Sequence, residues 1–123
     1  MVAFTPGTTL GAVALSAAFN ALVINAQTST TYTLAATDAG GLITATNASA
    51  ITVTIPTNAG VAFATGTQIG VLQTGAGQVT FVGASGVTVN SYNSALKMVG
   101  NGGLAVLVKT GTNTWSMAGA LIP

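Results

Sequence analysis

An all-β domain, built as a compact antiparallel sandwich or barrel, is the fold this sequence predicts, and three observations predict it. Apolar runs of four to seven residues recur along most of the chain. Several alternate strictly, as in "ITVTI", where Ile51, Val53 and Ile55 point one way and Thr52 and Thr54 the other. Between the runs lie clusters of Gly, Asn, Ser and Asp, the residues that tight turns require. Strands at about ten-residue spacing with such turns define a sandwich or barrel.

The elements follow in order. Residues 1–30 are expected to form an arm or short helix ahead of a β-domain over 31–123. From Leu10 to Ile24 this arm is apolar except for Gly11, Ser16 and Asn20. Thr8 or Thr9 can cap a helix there. Leu15, Phe19 and Leu22 then share one face at i, i+4 and i+7. The segment lacks the positively charged start of a signal peptide. It is also shorter than the roughly 20 residues that span a bilayer. The expected role is burial of Leu15, Phe19 and Leu22, either as a docking face for a partner or as a core helix of the same subunit.

Eight strands are predicted next: "TYTLAA", "LITAT", "ITVTI", "TQIGVLQ", "QVTFV", "VTVN", "LAVLVK" and "TWSMAG". Pro56 stops the third, because it lacks the N–H that a ladder needs. No strict repeat links the strands.

Composition narrows the chemistry. The chain holds 22 Ala, 21 Thr and 16 Gly, close to half of its 123 residues, and only 2 % charged side chains. From Ala39 to Leu96 there is no Asp, Glu, Lys, Arg or His. Asp38, Lys97 and Lys109 are the whole charged inventory, and cysteine is absent. General acid–base catalysis needs His or paired carboxylates, and a Ser nucleophile needs a base. Neither is available, so the chain is not expected to be an enzyme. No metal or cofactor is expected either, because His, Cys and clustered carboxylates are missing. A net charge of +1 offers no phosphate-neutralising surface, so nucleic acid is not an expected partner, and neither is a membrane.

Individual motifs read structurally. "GNGGLA" fits a dinucleotide pattern on paper, but a strand follows where a helix is required. Asp38 in "TDAGG" is expected to bond its own backbone in a turn. Lys97 and Lys109 are expected at the edge of two predicted strands, where Lys discourages edge pairing, or alternatively in contact with an acidic partner surface. Asn47 in "NAS" forms a glycosylation sequon that also reads as a polar turn. Trp115, alternating with Met117, is expected to anchor the core or a subunit interface.

The run from Asp38 to Ser91, closed by "KTGTNTWSMAGAL", resembles a β-module of tailed-bacteriophage virion proteins: capsid-decoration, head-fibre and tail-fibre-like proteins. The shared pattern is D-A-G before a strand, then "TVTIP", "F-x-x-GT-x-I", "Q-x-GAGQVTF", "GVT-x-NS" and "GTNTW". It covers residues 32–121. This chain departs in having Gly41 where Lys is common and Ala64 where Pro is common. The resemblance implies a structural protein on the capsid exterior, a decoration (cement) or head-fibre protein. It would bind the major capsid protein as a homotrimer or other small symmetric oligomer. Alternatives are a receptor- or carbohydrate-binding tail-fibre module, which would use Tyr32, Tyr92 or Trp115, and a self-assembling filament subunit. A nearly uncharged surface suits all the packing roles, since covering it desolvates few ions.

Overall fold

The computed structural model describes residues 22–123. Among these residues eleven strands form two mixed sheets packed as a sandwich. They are β1 (Ile24–Gln27), β2 (Thr31–Thr33), β3 (Leu42–Ala45), β4 (Ile51–Ile55), β5 (Gln68–Gln73) and β6 (Val79–Gly83). β7 (Thr88–Ser91), β8 (Lys97–Met98), β9 (Leu104–Gly111), β10 (Thr114–Gly119) and β11 (Leu121–Ile122) complete the set. The six-stranded sheet has the order β1-β3-β5-β9-β10-β7, and the five-stranded sheet the order β11-β8-β6-β4-β2.

The all-β expectation holds, as a sandwich of two sheets. The antiparallel expectation needs correcting. Strands β1 to β9 alternate strictly between the two sheets, and only β9 and β10 are consecutive neighbours in one sheet. A chain that crosses to the other layer and returns arrives in the same direction. Hence β1, β3 and β5 pair in parallel, as do β2, β4 and β6. Outside that series β7 also pairs in parallel with β10, while β9 runs antiparallel to both β5 and β10. Parallel pairs need a long crossover, and here a strand of the opposite sheet supplies it. The first six strands thus form an irregular coil of two strands per turn. Its steps are uneven: Ile24 faces Leu42, which faces Gly70, while Thr31 faces Thr52, which faces Thr80. No fixed period exists for a repeat search to find.

Boundaries agree where alternation is strong. β4 and β10 coincide with "ITVTI" and "TWSMAG", and Pro56 follows β4 directly. The short strands β1, β8 and β11 went unpredicted. β1 also moves the start of the sandwich back to residue 24, inside the span expected to be an arm. Its inward residues are Asn25 and Gln27, so the hydrophobic pattern that marks the other strands is missing.

Inward-facing Ile43, Ile51, Val53, Ile69, Phe81 and Leu107 make the centre of the core. Each such side chain contributes about 1.5–3 kcal/mol by leaving water. Trp115 is 1 % exposed and meets Phe63 edge-on, with ring centroids 5.4 Å apart at 87°. Of its two expected roles, the structure assigns the core. Gly77 is needed for the tightest of several close approaches: a Cβ there would lie 1.8 Å from the Ser49 carbonyl oxygen. That contact lays the 74–78 turn on the 46–49 turn, where Gly77 N–H donates to Asn47 O.

Candidate functional site

The site candidates are the two outer faces of the sandwich, because Asp38 and Lys109 are used internally. Asp38 is 4 % exposed, and its carboxylate accepts three hydrogen bonds. Its Oδ1 takes a hydrogen bond from Asn25 Nδ2 at 2.9 Å. Its Oδ2 takes bonds from Tyr32 Oη at 2.5 Å and Ala35 N–H at 2.8 Å. Asn25 Nδ2 also reaches Tyr32 Oη at 2.8 Å. The expected turn bond is present, within a larger seam. Asn25 lies on β1 and Tyr32 on β2, the edge strands of opposite sheets, so the seam closes one open side of the sandwich. Burial, and then the bond to the Asp38 carboxylate, push the Tyr32 hydroxyl up to about 12.

Lys109 is not at an edge. It lies on β9, third from the end of its sheet, and the parity of Ala105 and Leu107 turns it inward, where it is 2 % exposed. Its Nζ donates to Asn58 Oδ1 at 2.5 Å and to Phe63 O at 2.7 Å. The ammonium thereby pins the 56–66 loop over the end of the core. A buried ammonium needs such acceptors. Lys97 also belongs to a strand with neighbours on both sides, β6 and β11, and its side chain is exposed. The edges are blunted by brevity instead: β1, β2, β7 and β11 have four, three, four and two residues. Asn47 is a turn residue as expected, with Nδ2 donating to Thr28 O at 2.7 Å.

Among the described residues no group of three or more His, Cys, Asp or Glu could hold a metal, and no helix is long and apolar enough to cross a membrane. Of the aromatics considered for ligand stacking, Trp115 is buried and Tyr32 is tied into the seam. Only Tyr92 stands out, 93 % exposed.

The outer faces differ sharply. Across the five-stranded sheet, register aligns Thr31, Thr52, Thr80, Lys97 and Ile122 in one row, and Thr33, Thr54 and Val82 in the next. This face is a threonine ladder whose hydroxyls meet water without charge. Across the six-stranded sheet the corresponding row is Ile24, Leu42, Gly70, Val106 and Ala118. A second row runs Ala26, Thr44, Leu72 and Leu104. Here the surface is aliphatic, with Ile24 at 61 % and Leu104 at 46 % exposure. A groove of about 370 Å³ crosses it between Leu22, Leu42, Leu72, Leu104 and Val106, floored by Gly70.

Of the residues expected to dock, Leu22 lies at this groove and is itself 63 % exposed. Leu15 and Phe19 fall outside the described residues. The groove residues were missed in the sequence, although two signals mark them. "GVLQ" and "LAVLV" are apolar on both faces, unlike "ITVTI", and Gly70 interrupts a strand interior.

The fold and its surfaces define a class: an all-β sandwich with a hydroxylated face and an aliphatic face, suited to packing. Searches against known protein families, curated proteins and solved structures find no match to this chain.

Proposed function

We propose that this chain is a structural virion protein of a tailed bacteriophage, a capsid decoration (cement) or head-fibre protein on the capsid exterior. It works as a symmetric homo-oligomer, a trimer or similar, seated on the major capsid protein, and it is not an enzyme. The observation that carries this reading is the sidedness of the sandwich. One outer face is finished in threonine hydroxyls, which suit contact with water. The opposite face is aliphatic and uncharged, and large exposed apolar patches mark interaction surfaces. A subunit that coats a particle needs one side of each kind. Burial of such a face contributes about 25 cal/mol per Å², with no charged group to desolvate. The resemblance of the 32–121 region to phage virion modules supports the same role.

Electron cryomicroscopy of the virions that carry this protein tests the proposal. Density for the sandwich is expected at regular positions on the outer head, with the six-stranded sheet towards the shell or a sister copy. Absence from the head, or location at a tail tip, would overturn it. A ligand-binding role would instead show glycan binding that is lost in Tyr92→Ala, the variant that removes the exposed aromatic.

A further inference from the structure

We propose that the groove on the outer face of the six-stranded sheet is the seat of residues 10–21 of the same chain. Four observations meet there. First, the described chain begins at the groove: Leu22 lines it, and Val23 O accepts a bond from Leu42 N–H at 3.0 Å. That bond fixes where the preceding residues leave, beside β3 at the groove's edge.

Second, the chemistry matches. The groove is walled by Leu42, Leu72, Leu104 and Val106, and residues 1–21 contain no ionisable side chain. Leu15, Phe19 and Leu22 fall at a spacing that puts them on one helical face. Laying that stripe on the aliphatic wall removes apolar surface on both sides and desolvates no charge.

Third, the dimensions agree. From β1 across β3 and β5 to β9 is three interstrand steps, about 14 Å. A helix of ten residues is about 15 Å long. Ten residues in helical form are therefore long enough to reach from the Leu22 side of the groove to its far wall.

Fourth, Gly70 leaves the room. Glycine in a strand interior weakens the strand and often marks the close approach of another element. Its backbone is not in the left-handed region, so conformation does not demand glycine there. A Cβ at this position would point outward to within 3.1 Å of Leu42 Cδ1, into the groove itself. The missing side chain keeps the floor open for an occupant.

The inference stands whether or not the protein belongs to a virion. Seated in this way, the segment roofs part of the aliphatic face and presents its other side as part of the surface that packs on a partner.

Two experiments on the full-length chain test it. In the first, Ala18→Cys is combined with Val106→Cys in a protein otherwise free of cysteine, and a short bismaleimide is added. An intrachain cross-link is expected, and none when Ala18→Cys is paired with Thr52→Cys on the opposite face. Interchain products alone would assign the groove to a second copy and overturn the proposal, as would equal labelling of both pairs. In the second, chymotrypsin cleavage after Phe19 is followed in the wild type and in Gly70→Val. The β-branched residue suits the strand but fills the floor, so cleavage is expected to accelerate at least ~10-fold, equivalent to about 1.4 kcal/mol of lost seating. Unchanged Trp115 fluorescence would show that the core is intact. Wild-type cleavage as fast as that of the free peptide would overturn the proposal.

Discussion

The two sheets are alike on the inside and unlike on the outside. Inward, both present aliphatic and aromatic side chains of the same kind: Ile51, Val53 and Phe81 on the five-stranded sheet, Ile69, Val71 and Leu107 on the six-stranded sheet. Outward, one carries threonine rows and the other Leu, Val, Ile and Gly. Folding alone would ask for polar residues on both outer faces. The aliphatic face is the one that the proposed packing would cover, while the hydroxylated face suits water. With so few charges to share out, a threonine hydroxyl is the means by which this chain marks a surface as exposed.

Core truncations should erase the difference between the sheets. Phe81→Ala is expected to cost about 3–5 kcal/mol and Leu107→Ala about 2–5 kcal/mol, because each removes buried contacts and leaves a cavity. Chemical denaturation measures both, and a large loss for one sheet only would mean that the two inner faces are not equivalent.

Charge placed outside should restore the difference. Val106→Lys is expected to weaken self-association or capsid binding by about 100-fold, since a buried unpaired ammonium costs several kcal/mol. Thr52→Lys, at the matching place on the other sheet, should change it by less than about 2-fold. Sedimentation velocity of the pair reads the contrast directly. Equal effects would remove the sidedness on which the functional proposal rests.

The smallest effect concerns the seam that joins the unlike sheets. Tyr32 is pushed up to about 12 from the ordinary value of 10.0 by burial and by the Asp38 carboxylate. The folded state thus holds its proton more tightly than the unfolded chain does. Its contribution is complete below about pH 10, and is lost as pH rises through about 12. Thermal unfolding across that window should fall less steeply in Tyr32→Phe than in the wild type. The same slope in both would mean that Tyr32 is not the titrating group of the seam.

How much of this was legible differs from element to element. "ITVTI" and "TWSMAG" were read at their true limits, because strict alternation and flanking turn residues are local signals. β1 escaped because its inward residues, Asn25 and Gln27, serve a polar seam instead of the core. The parallel pairing escaped because it depends on which layer each strand joins, and turns of unequal length hide the coil. Lys109 was misplaced for a similar reason: its parity within the strand was visible, but the position of β9 inside the sheet was not.

Composition and alternation therefore settled the class of fold and most strand positions, since these depend on neighbours in the chain. The tertiary structure decided which strands share a sheet. Only that sharing gathers Thr31, Thr52 and Thr80 on one face and Leu42, Gly70 and Val106 on the other. A surface is made of residues distant in sequence, so its character comes into being when the strands are laid side by side.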